Sequence, residues 1–141
     1  MAAKVKQAKR AARSKSAASV TTITLPVIGK GEKYRGFVLG ADGKPSHHVI
    51  LLGEQLARAT HDEALAFAKK LGGSLADRAE GALLYAQNAD GACQKEWYWL
   101  APLHESDSAY AWCQTFGYGY QYSGDRGYRY RVCVVRRAPI Q

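Results

Sequence analysis

No aspartate or glutamate occurs in the first 31 residues, and that absence accounts for the basic character of the whole chain. The same stretch holds seven basic residues: Lys4, Lys6, Lys9, Arg10, Arg13, Lys15 and Lys30. Residues 32–141 carry 13 Lys/Arg against 12 acids, so the formal charge of +8 belongs to the N-terminal part and the remainder is close to neutral. A generically basic body, of the kind that binds nucleic acid over its whole surface, is excluded.

No apolar run approaches the roughly 18 residues that would cross a bilayer, and the N-terminus lacks the apolar core of a secretory signal. Its acid-free Ala/Ser/Arg composition is only superficially like an organelle transit peptide, a reading that requires a eukaryotic source. Cysteine is sparse: Cys93, Cys113 and Cys133. An odd count without a signal peptide points to reduced thiols in a cytosol, with a Cys113–Cys133 bridge open if their strands are neighbours. His47, His48, His61 and His104 form no HExxH pattern and no close Cys/His pairing, so neither a metal nor a cofactor is expected.

What is present suffices for one core and one domain in 141 residues. Residues 1–19 are Lys, Arg, Ala and Ser with one Val and no aromatic, a composition that cannot bury enough apolar surface to offset its ordering entropy. They are expected to be a disordered basic arm, with the folded domain spanning residues 20–141. Val20–Ile28 is β-branched and reads as an edge strand interrupted by Pro26. Tyr34–Leu39 and His47–Leu52 read as two more strands around an Asp42-Gly43 turn, the second apolar on both faces and therefore central.

Two helices follow. Thr60 with Glu63 makes a capping box, ahead of an apolar stripe at Ala64, Phe67, Ala68 and Leu71, and Gly72-Gly73 stops the helix. Asp77 with Glu80 caps a second helix whose expected apolar face is Ala79, Ala82, Leu83 and Ala86. The last third is β: Trp97–Leu100, Ala109–Phe116, Tyr118–Tyr122 and Tyr128–Val135, with a turn at Ser123–Gly127. Strands, two consecutive helices and strands again make an α+β arrangement without doubly wound alternation.

The Trp97-Tyr98-Trp99-Leu100 strand resembles the Trp-containing core strand of C-type-lectin-like domains. The ordered series HHVILLGE (47–54), HDEALAFAKKLGG (61–73), SLADRAEGALLYAQ (74–87), WYWLA (97–101), SAYAWCQTFGYGYQ (108–121) and YRVCVVRR (130–137) is similar to a more specific family. That family comprises small prophage-associated domains of unknown function related to the Legionella collagen-like protein C-terminal domain. The likeness covers residues 46–137, about two-thirds of the chain, and its specificity lies in the series, not in any one motif. The sequence departs at Leu75-Ala76, where the family usually has Leu-Pro, and at Asp62, where Trp is frequent. Both positions concern packing and helix entry. The resemblance implies a C-type-lectin-like α+β fold, two consecutive helices packed on antiparallel strands, and a phage or prophage setting.

Five of the nine tyrosines fall in residues 118–130, interleaved with arginine. Tyrosine combines a rigid apolar body with a hydroxyl at small entropic cost, which suits a contact surface. If strand alternation holds, Tyr118, Tyr120 and Tyr122 share a face. The candidate protein-binding residues are Tyr118, Tyr120, Tyr122, Arg126, Tyr128, Arg129 and Arg131, in the stretch that C-type-lectin-like domains often use for binding. Tyr110, Tyr130 and the three tryptophans are expected in the core.

The expected function is therefore non-catalytic recognition of a protein, either a host factor or a virion component, in a bacterial cytoplasm or on a phage particle. Two alternatives stand beside it. Lys4, Lys6, Lys9, Arg10, Arg13 and Lys15 suit nucleic-acid contact through phosphate. Formylglycine-generating enzymes share the broad fold and use paired cysteines, so Cys113 and Cys133 stand for an oxidoreductase reading, although no supporting acid, base or metal group can be placed.

Overall fold

The computed structural model describes residues 19–141, and among these two reciprocal capping boxes set the two α-helices. The basic arm, with all six of its candidate nucleic-acid contacts, lies outside the described residues except for Ser19. Helix α1 (His61–Lys70) starts where the Thr60 side chain accepts from the Glu63 N–H and Glu63 accepts from the Thr60 N–H. Helix α2 (Arg78–Ala86) repeats the device with Asp77 and Glu80. Gly72, at φ 77°, lets the chain leave α1 in a left-handed conformation.

Among the described residues, eight strands form two sheets. The smaller has the order β1 (Lys33–Leu39), β2 (Pro45–Leu51), β8 (Val135–Pro139), all antiparallel. The larger runs β3 (Leu56–Ala59), β7 (Tyr130–Val132), β4 (Trp97–Leu103), β5 (Tyr110–Thr115), β6 (Gln121–Asp125), with β4 and β7 parallel and the other pairs antiparallel. The α+β class and the central position of β2 are as the sequence predicts.

Alternation along β4 divides the core. Tyr98 and Leu100 face one side, with Leu84 of α2, Phe116, Cys93, Cys133 and Val49 of the small sheet. Trp99 faces the other, with Ala64 and Ala68 of α1, Ala111, Cys113 and Val132. Gly81 lets α2 settle onto the sheet: a Cβ there would stand 2.8 Å from Leu100 Cδ2.

Several expectations need correction. Val20–Ile28 forms no strand; it is mostly exposed chain without a sheet partner among the described residues, and Pro26 removes a backbone donor. The Tyr128–Val135 run is two strands in different sheets, because the chain crosses between them at Cys133-Val134. Strand β3 was not foreseen, being only four residues long. The predicted apolar face of α2 is wrong. Ala79, Ala82 and Ala86 are exposed and Leu83 is half-buried, while Glu80, Gly81 and Leu84 point inward. The cause is Glu80, drawn inside by Arg137 and His47. Tyr110, at the start of β5, is exposed, and Trp97 and Trp112 are only partly buried.

Candidate protein-recognition surface

The predicted strand over Tyr118–Tyr122 is instead a hairpin loop followed by β6. Gly119 takes φ 87°, its N–H donates to Thr115 O at 2.8 Å, and the Thr115 N–H donates to Tyr120 O at 3.0 Å. The loop therefore turns at residues 116–119, and Tyr118 and Tyr120 do not share a strand face. They meet by another route: their rings stack, centroids 5.8 Å apart and 11° from parallel. Tyr122 stands on β6, the free edge of the larger sheet, opposite Cys113.

Tyr118, Tyr120, Tyr122 and Tyr128 are 76%, 62%, 69% and 58% exposed. None of their hydroxyls finds a hydrogen-bond partner among the described residues. Tyr130, by contrast, is half-buried: its ring lies 4.7 Å from Trp99 and 6.2 Å from both Trp97 and Tyr128. Burial raises the pKa of its hydroxyl above the ordinary tyrosine value. Gly124 makes room for that ring, since a Cβ there would come within 2.8 Å of Tyr130 Cε2.

The arginines play a different part from the tyrosines. Arg126 pairs with Asp62 and donates to Ser108 O, while its own carbonyl accepts from the His61 N–H at 3.1 Å. Arg129 pairs with Glu63 at 3.1 Å. Both acids sit in the first turn of α1, where the helix dipole favours negative charge. The capping hydrogen bonds from Thr60, with Arg129 beside it, hold the Glu63 carboxyl below its usual range. Arg131 pairs with Glu96 at 3.0 Å and donates to the Tyr98 hydroxyl at 3.4 Å. Each arginine thus ties the β6–β7 segment to a neighbouring element, and the loop bearing Tyr128 is fastened at both ends.

Between these loops lies an open groove of about 520 Å³. Trp97, Tyr130 and Tyr118 supply its aromatic walls, and Arg58, Lys95, Arg129 and Arg131 its basic rim. The groove thus joins three predicted contact residues, Tyr118, Arg129 and Arg131, to others the sequence did not flag. Trp97 was assigned to the core, and Arg58 lies on the unforeseen β3. Adjacent Lys95, Glu96 and Trp97 are the one local signal, a charged pair beside an aromatic at a strand entrance.

The cysteines separate differently from expectation. Cys113 is buried against α1, its thiol donating to Tyr122 O at 3.4 Å, and burial pushes its pKa up to about 12. Cys133 faces the other core, where its partner is Cys93. Cys93 and Cys133 share that buried cluster, and their interaction lowers the pKa of Cys93 and, with burial, raises that of Cys133 well above the ordinary thiol value. Cys113 and Cys133 thus lie in separate core clusters and are not bridged, and all three cysteines are free thiols. Among the described residues no group of three or more His, Cys, Asp or Glu is placed to hold a metal ion. No helix among them is long and apolar enough to cross a membrane.

The class these features define is an α+β domain with four exposed tyrosines on the loops and edge strand of its C-terminal third. The chain matches no protein-family model and no curated protein.

Proposed function

We propose that this chain is a non-catalytic recognition protein that engages a protein partner through Tyr118, Tyr120, Tyr122 and Tyr128. The observation carrying the reading is the exposure of four tyrosines whose rings and hydroxyls do little for the fold. Large aromatic surface left in water on a fastened loop is suited to burial against another protein, with little ordering cost on binding. The order of elements is compatible with the finer reading of a C-type-lectin-like domain, and the phage or prophage origin rests on the sequence resemblance alone. Its partner is a host factor in the bacterial cytoplasm or a component of the particle.

The test is stoichiometric capture from an extract of the source cells with the full chain and two variants. Tyr120→Ser/Tyr122→Ser is expected to weaken capture about thirtyfold, as loss of a hot spot does. Replacing Lys4, Lys6, Lys9, Arg10, Arg13 and Lys15 by Gln is expected to leave it unchanged. Nuclease-sensitive capture, lost in the Gln variant and kept in the Tyr variant, would establish the nucleic-acid alternative instead.

A further inference from the structure

The groove beside the tyrosine loops has a sign of charge that the rest of the folded body lacks. Four cations line it, Arg58, Lys95, Arg129 and Arg131, against one acid, Glu96. Arg129 and Arg131 are engaged with Glu63 and Glu96. Arg58 and Lys95 are exposed and have no acid within ion-pair distance among the described residues. Over residues 32–141 acids and bases nearly cancel, so two unneutralised cations facing one cleft are a local concentration, not a consequence of overall charge.

The floor between them is aromatic. Trp97 and Tyr130 lie 6.2 Å apart and 32° from parallel, and Tyr118 stands opposite, braced by its stack on Tyr120. An apolar floor with a cationic rim complements an apolar or aromatic side chain flanked by carboxylates. The rim charges stay in water, where they steer and select more than they hold, so the aromatic floor must carry the affinity.

We infer that the Trp97–Tyr130 groove takes an acidic segment of the protein partner, with one aromatic residue seated on the floor and carboxylates against Arg58 and Lys95. This rests on the protein-recognition reading and gives the chemistry of the partner. Single-stranded nucleic acid is the competing occupant, since bases also stack on aromatic side chains beside cations. A protein segment is favoured because the rim keeps Glu96, and Glu63 lies beside Arg129; both oppose a continuous phosphate backbone more than a few separated carboxylates.

The test uses the full chain and three labelled probes in fluorescence anisotropy: a glutamate-rich peptide with one central Phe, the same peptide with lysine for glutamate, and oligo-dT. The glutamate peptide is expected to bind at least about tenfold tighter than the lysine peptide, to weaken with added salt, and to outcompete oligo-dT. Arg58→Glu/Lys95→Glu should abolish that preference while keeping the wild-type unfolding midpoint, because both side chains are exposed. Trp97→Ala should weaken the glutamate peptide without changing its preference over the lysine peptide. Equal binding of the two peptides, preference for oligo-dT, no binding of the glutamate peptide, or a preference that survives Arg58→Glu/Lys95→Glu would each overturn the inference. Capture lost in Tyr120→Ser/Tyr122→Ser but unaffected by Arg58→Glu/Lys95→Glu would overturn the groove while sparing the tyrosine face. Capture indifferent to the tyrosines removes both.

Discussion

Arg137 grips Glu80 with two hydrogen bonds, Nε to Oε2 at 2.6 Å and Nη2 to Oε1 at 2.7 Å, inside the junction of β8 and α2. Glu80 has no solvent exposure, and its remaining capacity is taken by the Asp77 N–H and by His47 of β2. One carboxylate therefore caps a helix and ties it to two strands of the small sheet. Removing it strands a guanidinium beside a half-buried imidazole. Glu80→Ala is expected to cost about 3 kcal/mol, the lower end for breaking a buried pair because Arg137 is partly exposed. Urea unfolding measures it.

The same carboxylate gives an acid limb to stability. Burial alone would raise its pKa, but the hydrogen bonds from Arg137, Asp77 N–H and His47 outweigh burial and lower it. Its contribution is thus complete above the unfolded value of about 4.3 and disappears as pH falls through the lower folded value. Glu80→Gln should flatten the stability curve in that window and nowhere above it.

His61 sets a second window at higher pH. Its ring is buried edge-on to Trp99, Nε2–H donates to Leu100 O at 2.9 Å, and Nδ1 has no partner among the described residues. Burial lowers its pKa, since protonation would place an unpartnered donor at Nδ1. Stability from keeping this ring neutral is full above about pH 6.5 and is lost as pH falls toward the folded value. Denaturant midpoints between about pH 7 and pH 5 should decline in the wild type and change less in His61→Phe.

The contrast between the two helices shows what local sequence carries. Thr60 with Glu63 and Asp77 with Glu80 lie three residues apart, so both helix starts are legible. The inward turn of Glu80 is not, because it depends on Arg137, 57 residues away, and no periodicity rule places a carboxylate on a buried face. Tyr118–Tyr122 alternates like a strand, yet the positive φ of Gly119 turns the segment into a loop before the strand begins. The exposed tyrosines were legible as a cluster. The groove was not, because Arg58, Lys95 and Tyr130 meet only through the β3–β7–β4 order.

Thiol oxidation should follow the observed neighbours. With diamide as oxidant, two thiols give one disulfide and the reduced hydrazine, and the bond is expected between Cys93 and Cys133, which share one buried cluster. Cys93 supplies the attacking thiolate. Cys113 should stay reduced, its pKa pushed up to about 12 and its environment separate. The bridge would add up to about 2–4 kcal/mol by closing the intervening chain. Alkylation and peptide mass mapping decide the pairing, and a bridge containing Cys113 would contradict it.

Gly119 links the fold to the recognition face, which makes it the sharpest single position to change. A Cβ there would stand 2.4 Å from Tyr85 Cε1, and φ 87° is strained for any L side chain. The ring of Tyr85, which also packs on Phe116 with centroids 6.4 Å apart, is exposed, so the positive φ is the part of the cost that side-chain movement cannot relieve. Gly119→Ala should cost about 1–3 kcal/mol and separate Tyr118 from Tyr120. Tyr120→Ser, by contrast, removes an exposed side chain and should change stability by less than about 0.5 kcal/mol. If the stacked pair is a contact surface, both variants weaken partner capture, one with loss of stability and one without. Stability lost at Gly119→Ala with capture intact would instead assign the hairpin a purely structural part.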